Sequence, residues 1–197
     1  MRIGLTGGIA CGKSTVAAML VELGARLVDA DQAARDVVLP GEPALGAVVA
    51  KFGQAMLHED GSLNRQALGA VVFGQAERLK ELEAILHPAI RQHMKEQMEA
   101  YEKEDPNAVV IADIPLLYET GQDEAYEGVI VVYVPKDVQR ERLMSRNGLS
   151  VEEADRRIGL QIDIERKRER AQWVIDNRGT LEQTREQVAA LWRAIGR

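Results

Sequence analysis

One cysteine, Cys11, stands among 197 residues, so an internal disulfide and a cysteine-rich zinc site are both excluded. Histidine is scarce as well, and His58, His87 and His93 lie at no metal-ligand spacing. Aromatic residues make up 4% of the chain, and 25 Lys and Arg face 31 Asp and Glu, for a formal net charge of −6. A dedicated nucleic-acid binder carries a basic excess and stacking aromatics, so a small, specific ligand is expected instead. Long hydrophobic runs are missing, and none nears the roughly 18 apolar residues of a membrane span. No basic segment followed by a long apolar stretch opens the chain. The expected compartment is the cytoplasm, with no membrane partner.

What the chain does have is a hydrophobic content of 46%, delivered in short runs that alternate with amphipathic stretches. That is the pattern of an α/β protein with a largely parallel sheet. Five strands are predicted: Ile3 to Thr6, Arg26 to Val28, Val109 to Ile111, Val129 to Val134, and Val174-Ile175. The fourth is apolar throughout and fits a central strand covered on both faces. A helix containing Val16, Met19, Leu20 and Leu23 follows the first strand and stops at Gly24. About 80 residues of mainly helical pattern separate strands two and three, too many for one crossover helix, so a helical insertion is expected. Pro40-Gly41-Glu42-Pro43 marks its first turn. His87-Pro88 marks a helix break, since a residue before proline is pushed out of the helical region. Thr180 to Arg197 reads as a closing amphipathic helix. Lys136 to Arg170 holds ten basic and eight acidic residues, a local +2 that leaves −8 for the rest of the chain.

Gly7-Gly8-Ile9-Ala10-Cys11-Gly12-Lys13-Ser14 matches G-x-x-x-x-G-K-[ST] and lies between a strand and a helix, as a phosphate-binding loop must. Its glycines let successive N–H groups turn inward toward an anion, and the helix that follows adds the positive end of its dipole. Lys13 is placed to reach the β- and γ-phosphates of a nucleotide, and the Ser14 hydroxyl to complete a Mg²⁺ shell.

Three further groups carry chemistry. Asp29-Ala30-Asp31 follows strand two, and if the segment is still extended both carboxylates point to the same side. They could accept a proton from an attacking hydroxyl or hold Mg²⁺ through water; the alternative is a solvated turn with Asp31 capping the next helix. Asp113 ends strand three, either as a second magnesium-side acid or as a strand-end acid facing solvent. Gln139, Arg142 and Arg146, spaced by three and four, share one helical face from which Arg can clamp phosphate. Arg157 and Gln161 repeat an i, i+4 relation, and Arg166 to Arg170 reads as a solvated face. Cys11 sits where only its backbone is needed and reads as a small filler; the alternative is a thiol whose pKa is lowered by Lys13 and the helix N-terminus and which is open to oxidation.

Taken in order, these residues resemble the dephospho-CoA kinases, which are similar in architecture to the nucleoside-monophosphate kinases. The resemblance runs almost the full length. It comprises Leu5 to Ile9 with Gly12 to Thr15, Asp29-Ala30-Asp31 with Ala34-Arg35, Pro40-Gly41, Phe52-Gly53, Leu63-Asn64-Arg65, Phe73 and Leu86-His87-Pro88 with Ile90. It continues through Ile114-Pro115-Leu116-Leu117 with Glu119, Gln139 with Arg142-Leu143 and Arg146, Arg157-Ile158, Gln161, Lys167, and Ile175-Asp176-Asn177 with Gly179. The Asp-Ala-Asp, His-Pro, Pro-Leu-Leu and Gln-x-x-Arg-Leu blocks are more specific than the bare loop.

The resemblance implies a three-layer α/β/α P-loop NTPase fold with a five-stranded parallel sheet. It further implies one domain over 1–197, with a helical acceptor-binding insertion at about 32–105 and a lid at about 139–170. The implied reaction is ATP-dependent phosphorylation of the ribose 3′-hydroxyl of dephospho-CoA, giving CoA and ADP. On that reading Asp31, Lys13 and Arg142 are catalytic, with Asp31 the base or positioner of the hydroxyl. Gly8, Ala10, Cys11, Gly12, Lys13, Ser14, Thr15, Arg142, Arg146 and Asn177 bind ATP, and Ser14 binds Mg²⁺. Asp29, Asp31, Arg35, Arg65, His87 and Leu116 form the acceptor side. The protein is expected to act as a monomer or small homo-oligomer. Ala10-Cys11 departs from the Gly and small residue usual there, and Gln172 from a common acid; Asp113 is not uniformly acidic in the family. The rival readings are a P-loop kinase of another nucleotide or small metabolite, and a non-catalytic ATP-binding module.

Overall fold

The computed structural model describes residues 1–195, so the last two residues of the expected closing helix lie outside the described residues. The chain forms two compact units, Met1–Val28 with Ala100–Arg197, and Asp29–Glu99.

The first unit is built on a sheet of β1 (Arg2–Gly7), β2 (Arg26–Asp29), β3 (Val110–Asp113), β4 (Gly128–Tyr133) and β5 (Trp173–Asp176) in the order β2-β3-β1-β4-β5. β1 pairs in parallel with β3 and β4, and β4 with β5. All five expected strands are present, their ends moved by a residue or two. Every residue of β4 is buried, as a doubly covered strand requires. The helices of this unit are α1 (Lys13–Glu22), then, beyond β4, α6 (Lys136–Asn147), α7 (Val151–Ile158), α8 (Ile164–Arg170) and α9 (Leu181–Ile195). α1 buries Val16, Ala17, Met19 and Leu20 and packs against α9, whose Val188 and Leu191 are buried in turn. The order places β1 between β3 and β4, with register partners Leu5 and Asp113 side by side. The loop after β1 and the acid ending β3 therefore emerge together at the carboxyl edge, where open α/β sheets bind ligands.

The second unit is helical: α2 (Ala30–Asp36), α3 (Pro43–Phe52), α4 (Arg65–Val72) and most of α5 (Ala76–Glu104). Val37, Val38, Ala44 and Leu45 form one apolar cluster, and Val48, Met56, Leu68 and Leu82 another. The expected break at His87-Pro88 does not occur, because α5 runs through Pro88. An interior proline costs about 3 kcal/mol; Leu82, Leu86, Ala89 and Ile90, packed into the two clusters on both sides of it, hold the helix together. Among the described residues no helix is long and apolar enough to cross a membrane.

Candidate active site

The loop from Gly8 to Gly12 turns on two left-handed residues, Ala10 at φ 62° and Gly12 at φ 85°. Its outward carbonyls are held by side chains from three elements. Gln139 Nε2, on α6, donates to Ile9 O at 3.0 Å; Asn177 Nδ2, just past β5, donates to Cys11 O at 2.8 Å; Lys167 Nζ, on α8, donates to Gly7 O at 3.2 Å. Gln161 Oε1 accepts the Ile9 N–H at 2.8 Å. A Cβ on Gly8 would run into the Gln139 amide, and one on Gly12 into the Asn177 amide, so both positions need glycine for close approach.

α1 starts from this loop with no side-chain cap and no acid in its first turn. By contrast α2, α4, α7 and α8 are each capped by an Asp, Asn or Ser side chain. A bare helix N-terminus adjoining a loop whose carbonyls are tied outward is a site for an anion. Lys13 lies at its mouth, paired with the carboxylate of the buried Asp113. The solvated-acid alternative for Asp113 therefore does not apply. Ser14 is exposed on the first turn of α1.

Of the arginines on α6, Arg142 reaches back to the loop region and donates to Asn177 O at 2.8 Å. Arg146, one turn on, is exposed and bonds the neighbouring Asn147 side chain at 3.0 Å. Gln139 is buried against the loop, so the shared face turns one amide inward and one guanidinium to solvent. Arg140 and Asp155, joined through two contacts of 2.7 and 2.9 Å, fasten α6 to α7.

One expectation is corrected here, and one alternative drops out. The run Arg166 to Arg170 is not a uniformly solvated face, because Lys167 is fully buried, one helical turn from the buried Ile164. That i, i+3 relation to an apolar residue was the available signal. For Cys11 the filler reading holds and the activated-thiol alternative does not: burial pushes its pKa up, outweighing backbone N–H groups, Gln139 and Arg142, which act the other way. Thr184, fully buried, was missed by sequence reasoning; its hydroxyl donates to Asn177 Oδ1 at 2.7 Å and so orients the amide that holds Cys11. Nothing in the spacing of α9 marks it.

The remaining expected residues lie in the second unit, apart from Leu116, which sits exposed on the turn after Asp113. Asp29 and Asp31 do not project together from an extended segment, because α2 begins at Ala30. Asp29 is the cap, its Oδ1 accepting the N–H groups of Asp31 and Gln32 at 2.7 and 3.1 Å; Asp31 is not. Asp31 is exposed in the first turn, with Arg35 one turn on along the same face. Arg65 is exposed at the start of α4, directly after the Asn64 cap, and His87 is half-buried on α5. Among the described residues no three His, Cys, Asp or Glu side chains form a metal-binding group.

A parallel sheet carrying a GKS loop on its central strand, with an acid at the end of the neighbouring strand and arginine on the helix beyond β4, defines a P-loop kinase. A shikimate kinase from Aquifex aeolicus has the same fold, at 17% identity and a TM-score of 0.51 over 100% of both chains. Residues 1–183 match the family model described as dephospho-CoA kinase, and the chain belongs to that family. It is 50% identical to the dephospho-CoA kinase of Symbiobacterium thermophilum over 98% of this chain and 80% of the relative, and 50% identical to that of Geobacillus kaustophilus over 99% and 98%. A solved dephospho-CoA kinase from Campylobacter jejuni superimposes with a TM-score of 0.77 at 34% identity, covering 99% of this chain and 96% of the other.

Proposed function

We propose that this chain transfers the γ-phosphoryl group of ATP to the ribose 3′-hydroxyl of dephospho-CoA, giving CoA and ADP. ATP-dependent phosphorylation of dephospho-CoA, a step of CoA synthesis, is the activity of its family. The observation that carries the reading is that family match over 183 residues, joined to a loop built for polyphosphate.

In this reading the Gly8 to Thr15 segment, Ala10 and Cys11 included, offers backbone N–H groups to the donor phosphates, and Lys13 neutralises charge on the transferring group. Arg142, placed beside the loop by its bond to Asn177 O, supplies a second cation. Arg146, exposed in the last turn of the same helix, contributes a further cation toward the phosphates, and Asn177 borders the nucleotide base. Asp31 accepts or orients the acceptor hydroxyl, with Asp29, Arg35, Arg65, His87 and Leu116 shaping that side.

Magnesium fits the donor set. Ser14 offers an exposed hydroxyl on the first turn of α1 and Asp113 a carboxylate beside Lys13, hard oxygens suited to an ion that keeps waters and nucleotide phosphates as its other ligands. When bound, the ion shields the phosphate charge. The setting is cytoplasmic, with the enzyme acting alone or as a small homo-oligomer.

The test is substrate profiling with ATP and Mg²⁺, following ADP release and the phosphorylated product by mass. Dephospho-CoA is expected to turn over, while shikimate and nucleoside monophosphates do not. Turnover of one of those acceptors and none of dephospho-CoA would overturn the reading.

A further inference from the structure

Lys167 is the largest fully buried side chain of the described residues, and its charge is spent inside the protein. Its ammonium contacts Glu119 Oε1 at 2.7 Å, Gly7 O at 3.2 Å and Pro115 O at 3.3 Å, three acceptors for three donors. Both carbonyls belong to segments the reaction needs placed. Gly7 closes β1 and opens the phosphate loop, and Pro115 lies two residues beyond Asp113, the partner of Lys13. Glu119 Oε1 also accepts the Ile162 N–H at 2.9 Å, and Gln161 Oε1 takes the Ile9 N–H. The seven residues from Gln161 to Lys167 thus grip the loop at its first residue and again two residues on.

A buried ion pair is by itself a weak source of stability. A buried ion pair can often be replaced by apolar side chains of similar size without loss, because desolvating both charges offsets their attraction. Here the pair also leaves Glu119 Oε2 buried with no hydrogen-bond partner, an unfavourable feature in a purely structural contact. What the ammonium does supply is a fixed direction: it pulls the Gly7 carbonyl to the back of the loop, in series with Gln139 on Ile9 O and Asn177 on Cys11 O. When alternate carbonyls are tied outward, the intervening N–H groups face the anion.

We propose that Lys167, held by Glu119, is a positioning residue for phosphoryl transfer: it sets the phosphate loop and the Asp113 segment in register without touching substrate. The proposal rests on the phosphate-loop reading, and goes beyond it by assigning the loop's geometry to a buried cation on α8.

The experiment compares wild type with the charge-free double variant Lys167→Met/Glu119→Gln and with Lys167→Arg, using ADP release against ATP and dephospho-CoA and thermal unfolding without ligand. The double variant is expected to fold cooperatively with a transition lowered by about 2–12 °C, because the Gly7 carbonyl loses its buried donor. Its kcat should fall about ten- to a hundredfold and its KM for ATP rise, with the KM for dephospho-CoA unmoved, since a misplaced loop spoils donor geometry and not acceptor binding. Lys167→Arg, which keeps a buried donor cation, should recover part of the loss in kcat. A folded double variant with kcat within about twofold of wild type would overturn the proposal. So would a double variant that fails to fold, because the pair would then be a requirement of the fold. Lys13→Ala separates the two levels. If it too is fully active the phosphate-loop reading falls; if it is inactive while the double variant is active, only the role of Lys167 falls.

Discussion

Ala10 is the only non-glycine described residue with positive φ, and it sits inside the phosphate loop. Replacing it with glycine sets two effects against each other. At φ 62° the Cβ crowds the following carbonyl, a penalty of about 1–2 kcal/mol that glycine does not bear. Against that, glycine gives the unfolded chain more freedom, worth about 0.4–1 kcal/mol, and the half-buried methyl loses a few tenths of its roughly 0.8 kcal/mol burial gain. The strain term wins by about 0.5 kcal/mol, which at roughly 2–4 °C per kcal/mol for a chain of this size raises Tm by about 1–2 °C. Ala10→Val tests the same reasoning from the other side, since a β-branched residue is worse in the left-handed region and should lower Tm by several degrees. Calorimetry or urea unfolding of the ligand-free protein measures both. A fall in Tm for Ala10→Gly, or no change for Ala10→Val, would refute the argument.

Asp31→Asn should retain ATP binding and lose about 10²- to 10⁴-fold in kcat if the carboxylate is the proton acceptor, read by steady-state kinetics beside nucleotide titration. Lys13→Ala should raise the KM for ATP and lower kcat together; unaltered kinetics would remove it from the site. Asp29→Ala, which strips the cap from α2, should cost about 1 kcal/mol of stability in urea unfolding, whereas Asp29→Asn should cost less because its side-chain oxygen can still accept. Cys11 has a raised pKa, so the unfolded thiol ionises first. Its contribution to stability is complete below the free thiol's value of about 8.5 and is lost as pH rises from there through the folded value. Urea midpoints of wild type should therefore fall faster above that pH than those of Cys11→Ala, and iodoacetamide should label the native thiol slowly at neutral pH.

How much of the site could be read in advance depends on whether a residue's role is local. The loop's glycines, Lys13 and Ser14 act through backbone geometry that a few consecutive residues fix, and β4 is marked by an unbroken apolar run. The placement of Asp113 followed from its being the last residue of a strand, but its partner did not, since only the β3-β1 register brings it to Lys13. Asp29 was misread because extended and helical continuations are equally open to Asp-Ala-Asp; the cap it makes to α2 decided the matter. Pro88 misled for a related reason, a local preference being outweighed by packing on both sides of it.

The acidity of the chain gave little warning of a polyanionic ligand, because the net charge of −6 averages over a site that works through a few placed groups. By itself the sequence determined the α/β class, the strand positions, the phosphate loop and the family, all of which are encoded in short contiguous patterns. Only the tertiary structure decided that Lys167, Gln139 and Asn177 tie back the loop's carbonyls, that Thr184 orients one of them, and that Cys11 is buried. The three bonds to the loop carbonyls join residues 7 to 11 to others more than 120 positions away, and hydrogen bonds of that span are set by how the sheet brings its elements together.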